Sequence, residues 1–301
     1  MTTQRVAIIG LGLIGGSVGL ATQAMLPQIA VTGWDADPDV RRRAAERGLV
    51  TTVCDTAEDA VRDAELVILC VPVGAMEGAA RAIAHALPQN AVVSDVGSSK
   101  RSVAEGLARA LPGVTIIPAH PVAGTEKSGP DAGFSELFRH RWCIVTPPEG
   151  APPEALQRVS DFWEGLGAKV EVMEAGHHDL VLAVTSHIPH LIAYTIVGTA
   201  SDLEDVTRGE VIKYSAGGFR DFTRIAASDP TMWRDVFLSN RDAVLEVLGR
   251  FTEDLTALQR AIRNGDGDTL FDLFERTRAI RRSIIEEGQD DARPDFGRSD
   301  H

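Results

Sequence analysis

The chain has 301 residues, a length that fits about two domains and a sizeable core. Apolar residues make up 44% and charged ones 24%, ordinary globular usage that excludes collagen-like, coiled-coil and wholly disordered chains. Asp and Glu outnumber Lys and Arg by 43 to 30, and the net charge of −13 argues against nucleic acid or a membrane surface as partner. A local basic site for a small anion stays open. Cys54, Cys70 and Cys143 are too few and too scattered for a disulfide framework or a zinc site. The N-terminus runs into a strand-like segment without the basic and apolar regions of a signal peptide, so the expectation is a soluble, cytoplasmic protein.

In chain order, Arg5–Ile9 reads as a buried strand and Ile29–Trp34 as a second. Glu65–Val71 is the strongest run, stopped by Pro72, and Ala91–Val96 and Val114–Ile117 continue the series. Amphipathic stretches such as Asp39–Arg47 and Ala75–Ala86 lie between them. Near-continuous apolar strands alternating with helices predict an α/β, doubly wound parallel sheet covered on both faces. Trp142–Thr146 and Ala168–Met173 are further strand candidates around a helical Pro153–Gly165. After Met173 the rhythm changes to helices alone. The expected division is residues 1–174 for dinucleotide binding, 175–287 for an all-helical domain, and 288–301 as a frayed tail. Asp179–Gly198 is apolar around its circumference, but Ser186, His187, Pro189 and His190 interrupt it. A buried helix kinked at Pro189 accounts for it better than a membrane span.

Gly10-Leu-Gly12-Leu-Ile-Gly15 follows the first strand and opens a helix, with Asp35 at the end of the second strand. That context is the Rossmann-type dinucleotide fingerprint. Gly10 serves the tight turn, Gly12 the close approach of pyrophosphate, and Gly15 the packing of helix on sheet; Leu13 and Ile14 complete the loop. Asp35 would accept from ribose hydroxyls and repel a 2′-phosphate, so NAD is the expected cofactor. Arg41, Arg42 and Arg43 would soften that preference only if one reached back, and otherwise form a solvated helix face. Val71 and Pro72 end the strongest strand where the ribose would lie.

Ser98 and Ser99 follow the next strand, either as ligand contacts at the sheet's carboxyl edge or as caps of the helix after them. His120 stands in the most unusual stretch, Pro118–Gly129, read as a short irregular loop and a ready base for an alcohol proton. Ser186 and His190, four residues apart, share one helix face. They face a ligand, or they answer the kink at Pro189. Arg224 is a carboxylate clamp, or an ion-pair partner of Asp221 or Asp229.

The stretches GLGLIGGS, DVGSSK, HPVAGTEKSG, SHIPH and GGFRDFTRIAASDPTMW, in that order, resemble the prephenate/arogenate dehydrogenases. The resemblance implies an NAD-dependent oxidative decarboxylation, of prephenate to 4-hydroxyphenylpyruvate or of arogenate to tyrosine. It also implies a homodimer formed through the helical domain. By motif, His120 resembles the catalytic histidine and Ser98 the serine that orients the substrate hydroxyl, with Ser99 as rival. Arg224 resembles the ring-carboxylate binder, and Ser186 and His190 the residues at the substrate's side-chain end. Glu126 and Asp221 resemble polar residues at the site mouth, and Trp233 an aromatic near the subunit interface. Hydroxyacid dehydrogenases of the β type usually place a catalytic lysine on a second-domain helix, where this chain has only Lys213 after Lys169. A regulator that merely senses NAD would have no use for His120, Ser98 and Arg224 together. The choice between prephenate and arogenate is not written in these residues.

Overall fold

The computed structural model describes residues 4–125, 127–202 and 217–286. The strands are β1 (Arg5–Ile9), β2 (Ala30–Trp34), β3 (Thr52–Val53), β4 (Leu66–Leu69), β5 (Val92–Asp95) and β6 (Thr115–Ile116). They form one parallel sheet in the order β3-β2-β1-β4-β5-β6, the doubly wound arrangement expected from the alternating pattern. Helices α1 (Leu13–Met25), α2 (Pro38–Arg47), α3 (Ala57–Val61), α4 (Met76–Ile83) and α5 (Arg101–Ala110) connect them. The two-residue side-chain period of the strands divides the core. Val6, Ile8, Leu66 and Ile68 pack under α1 and α2 on one face, while Ala7, Ile9, Val67 and Leu69 pack under α3, α4 and α5 on the other.

A second, three-stranded sheet follows: β7 (Ala119–Pro121), β8 (Trp142–Val145) and β9 (Lys169–Val172), with β7 antiparallel to β8. Helix α6 (Pro153–Gly165) closes it by burying Phe162 and Trp163, and the Trp163 ring meets both Phe138 and Phe162 edge-on. The irregular loop expected around His120 is thus corrected at its start. His120 is a strand residue in register with Ile144, and the irregular segment begins only after Pro121.

Then come α7 (Ala175–Leu182), a π turn at Ala183–His187, α8 (Ile188–Asp202), α9 (Gly217–Thr223), α10 (Pro230–Ser239), α11 (Arg241–Asn264) and α12 (Gly267–Glu286). Pro189 has no N–H for the carbonyl four residues before it, and the π turn directly upstream widens the helix where that bond is missing. Ala175–Asp202 is long and apolar enough to cross a membrane, with only 28% of its most apolar window buried. The expectation of a buried helix is corrected accordingly: Ile188 and Ala193 are inside, but Val184, Ile196 and Val197 are exposed. By compactness the chain forms two units, Met1–Val244 and Leu245–His301. The first compact unit therefore includes helices α7 to α10, of which α7 packs on α5 and α10 on the short turn after β4. The described part of the second unit is the rest of α11 together with α12.

Candidate active site

The cofactor half is built by the carboxyl ends of β1, β2 and β4. Gly10 has φ +99°, and a Cβ there would press on the Cys70 carbonyl at 2.5 Å and on Val71 at 3.0 Å. A Cβ on Gly15 would collide with the Gly10 carbonyl, so α1 packs on this turn only without one. Gly12 is the opposite case, since nothing lies within 4 Å of where its Cβ would be. It is the N-cap of α1 and supplies no side-chain cap, which leaves amides of the first turn free to meet an anion. Asp35 accepts from the Leu11 amide at 2.8 Å and the Asp37 amide at 3.0 Å, so the acid is oriented before any ribose arrives. Arg41 does reach back, but to the Asp35 main-chain carbonyl at 2.7 Å. Arg42 pairs with Asp39 and Arg43 with Asp131. Leu13, Ile14 and Val71 are half-buried beside the loop and Pro72 is exposed at its rim. An open glycine turn, free helix amides and an oriented carboxylate fit a dinucleotide.

The chemical half begins one strand further on. Asp95 ends β5 and accepts from the Gly97 amide at 2.7 Å, which folds the Gly97-Ser98-Ser99 turn back on the sheet. Lys100 is fully buried, pairs with Asp95 and donates to the Ala119 carbonyl at 2.7 Å, next to His120. Neither serine bonds the amides that open α5. Asp179, from α7, accepts from the Lys100 amide at 2.7 Å and the Arg101 amide at 3.0 Å. Of the two readings of these serines, the helix cap is thereby overturned. Ser99 is buried, with its hydroxyl 2.8 Å from that of Ser239 on α10. Ser98 is half-buried at the turn.

His120 is 8% exposed, and its Nδ1 lies 2.8 Å from Nε2 of His178. The Nδ1 of His178 lies 2.8 Å from the Asp179 carboxylate. Burial, and then the neighbouring His178 and Lys100, hold His120 well below its ordinary 6.5, so it is neutral at pH 7. A buried neutral imidazole on a strand packed beside β5 can accept a hydroxyl proton as hydride leaves the carbon that bears the hydroxyl.

The substrate end is built on the widened helix. His190 Nδ1 donates to the Ser186 carbonyl at 2.8 Å, and the His190 ring stacks on Trp233 at 3.7 Å. Trp233 is buried, with its ring against both His190 and His187. Arg224 opens a 3₁₀ turn just after α9, and its positive charge is close enough to lower the His190 pKa, after burial. Asp221 lies exposed one helical turn earlier. Tyr194 ties α8 to this segment through the Ser228 carbonyl at 2.7 Å, and Asp229 caps α10 at the Met232 amide. Glu126 falls outside the described residues, as does the 288–301 tail.

Comparison with known proteins places these elements in a family. Residues 18–172 match the model for the prephenate dehydrogenase nucleotide-binding domain, and 174–276 match its dimerization domain. The chain belongs to the prephenate dehydrogenase family. A cyclohexadienyl dehydrogenase of Zymomonas mobilis is 46% identical over 93% of this chain and 96% of its own length. The Aquifex aeolicus prephenate dehydrogenase in complex with hydroxyphenyl propionate and NAD⁺ superposes with a TM-score of 0.88. It is 31% identical and covers 94% of this chain and 99% of that one. The Synechocystis arogenate dehydrogenase follows at 0.79 and 25% identity, over 93% and 100%. The family is one of NAD-dependent oxidoreductases, and this chain is such an enzyme.

In this family member, the sequence reading gave no role to four further residues, of which His178 touches His120. His178 and Asp179 stand at the domain boundary, where only apolar periodicity was legible. His187 and Asn240 meet deep in the helical part, with the Asn240 amide 3.1 Å from His187 Nδ1 and 2.8 Å from the Asp179 carbonyl. Polar residues on an otherwise apolar helix were the one signal that pointed to them.

Proposed function

We propose that the chain oxidises and decarboxylates both prephenate, to 4-hydroxyphenylpyruvate, and arogenate, to tyrosine, at one site. Bound NAD⁺ supplies the hydride acceptor, held through Gly10, Gly12, Leu13, Ile14, Gly15, Asp35, Val71 and Pro72. His120 takes the proton of the ring hydroxyl while the ring carboxylate departs as CO2 and the ring becomes aromatic. Aromatisation drives the reaction, so the residues need only pose the ring, receive one proton and neutralise two carboxylates. Ser98 orients the hydroxyl and Arg224 binds the ring carboxylate. Ser186 and His190, backed by Trp233, receive the side-chain end, with Asp221 and Glu126 at the mouth. The observation that carries this reading is His120 itself, a buried histidine on a strand packed beside β5, with its Nδ1 2.8 Å from His178.

We place the enzyme in the cytoplasm as a homodimer, with a dinucleotide domain through Glu174 and a helical domain after it. The exposed apolar side chains Ile262, Phe271 and Phe274, at 67%, 64% and 58%, support a partner surface on the helical region. The match to a dimerization domain supports it too. The test is to supply prephenate or arogenate with NAD⁺ and follow NADH and CO2 together. Equal yields of the two from either acid bear the proposal out, and no turnover of either removes it. Sedimentation giving a stable monomer at micromolar concentration would remove the dimer.

A further inference from the structure

His120 has two ring nitrogens, and only one of them can receive a substrate proton. Which one is decided two side chains away. Asp179 Oδ1 accepts from the Lys100 amide at 2.7 Å and lies 2.8 Å from His178 Nδ1, while Oδ2 accepts from the Arg101 amide at 3.0 Å. Burial by itself would raise the Asp179 pKa, yet the bonds from His178, Arg101 and Lys100 hold it below the usual carboxylate range. The group is therefore ionised at pH 7, and an ionised carboxylate only accepts. His178 Nδ1 must be the donor. Burial also keeps His178 neutral, so its Nε2 carries a lone pair. That lone pair faces His120 Nδ1 at 2.8 Å, which must then hold the hydrogen. His120 Nε2 is left as the acceptor.

We propose that His178 and Asp179 are positioning residues that fix His120 as the Nδ1–H tautomer, with Nε2 as the basic atom. This rests on the reading of His120 as the base. As the proton moves from the ring hydroxyl to Nε2, the new imidazolium keeps its Nδ1–H bond to His178. The Asp179 charge, relayed through that bond, offsets the added positive charge, and the proton stays on His120 until solvent removes it. The other charged and titratable groups around the pair are Lys100 at the start of α5, Asp95 on β5, Cys143 on β8 and His187 in the π turn. Lys100 opposes an imidazolium, which makes the anion at Asp179 the group that favours it. The helical region thereby sets the protonation geometry of a residue on β7, through a carboxylate that also caps α5.

Two-bond proton–nitrogen correlation spectra of the wild-type imidazoles, with NAD⁺ bound near pH 8, read the tautomers directly. The expected result is hydrogen on Nδ1 of both His120 and His178. Hydrogen on Nε2 of His120 overturns the proposal, with no variant needed. In kinetics, Asp179→Asn keeps the shape but lets His178 adopt the other tautomer, and kcat should fall about ten- to a thousand-fold. Its acidic limb should move to lower pH because the imidazolium has lost its counter-charge, while the NAD⁺ Kd stays put. Gln at 178 can still accept from His120 and donate to Asp179, so His178→Gln should retain more activity than His178→Leu. Wild-type kcat and an unmoved limb in Asp179→Asn would overturn the positioning role alone, provided that His120→Asn loses about 10²-fold or more of its kcat. A His120→Asn with wild-type kcat would instead overturn the base and this proposal with it.

Discussion

Acid should destabilise this protein through a histidine to which the proposed chemistry gives no part. His187 is fully buried, and its Nδ1 accepts from the Asn240 amide, which also donates to the Asp179 carbonyl. Protonating Nδ1 would set donor against donor, and burial pushes the pKa from 6.5 down to about 4. The folded protein then binds fewer protons than the unfolded one between these values. Stability is complete above the unfolded pKa, falls as pH drops through 6.5, and levels off below about 4. A shift of that size is worth about 3 kcal/mol in full, of which about 2 kcal/mol is already lost by about pH 5. His120, His178 and His190 are lowered as well, so the whole protein should lose more than this. A single variant isolates the share of His187. Urea unfolding of wild type and His187→Gln, at matched protein concentration and at pH 7.5 and 5, gives the stability drop of each. The drop should be smaller by about 2 kcal/mol in the variant, whatever its stability at pH 7.5. Equal drops would show that His187 titrates normally and that the Asn240 contact does not exclude the proton.

Other outcomes follow from the two halves of the site. Gly15→Ala drives a methyl into the Gly10 carbonyl, and overpacking of about 1–3 kcal/mol should weaken NAD⁺ binding about ten- to a hundred-fold by fluorescence titration. Asp35→Ser should narrow the preference for NAD over NADP, and should also lower Tm, because the Leu11 and Asp37 amides lose their acceptor. A wild-type enzyme that used NADP equally well would contradict the role of Asp35. Arg224→Ala should raise KM for the acid tens-fold or more, since losing a charge-assisted clamp costs about 2–5 kcal/mol, and should leave NAD⁺ affinity alone. An unchanged KM would return Arg224 to a structural role.

The main sheet was legible because β1, β2, β4 and β5 are apolar runs with glycine, proline or helical punctuation between them. β3 was not, because its two residues are held only by the register Thr32↔Thr52 and Gly33↔Val53. β7 escaped because Pro118 and Pro121 bracket it and read as loop, while the partner that makes it a strand is β8. The dinucleotide loop could be read residue by residue, since its chemistry is local: a turn, a helix start, an acid at the next strand end. The environment of His120 could not. Its nitrogen is held from 58 positions away, and the helix after Ser99 is capped by a side chain 78 or 79 positions on. Serines beside a helix start are good local caps, and only the approach of α7 brings a carboxylate that displaces them. The apolar Asp179–Gly198 stretch carried the opposite lesson. Its period was read as burial, but a face of Val184, Ile196 and Val197 remains outside this chain's core.

The most direct test of the central claim is the kcat of His120→Asn across pH, with prephenate and saturating NAD⁺. Asn keeps a polar side chain of modest size, and the loop through Gly10, Gly12, Gly15 and Asp35 is untouched, so NAD⁺ affinity should match wild type. Loss of a general base should lower kcat about 10²–10⁴-fold and remove the acidic limb from the activity that remains. A variant with wild-type kcat, or with the same acidic limb, would contradict the account and make His190 the next base to test.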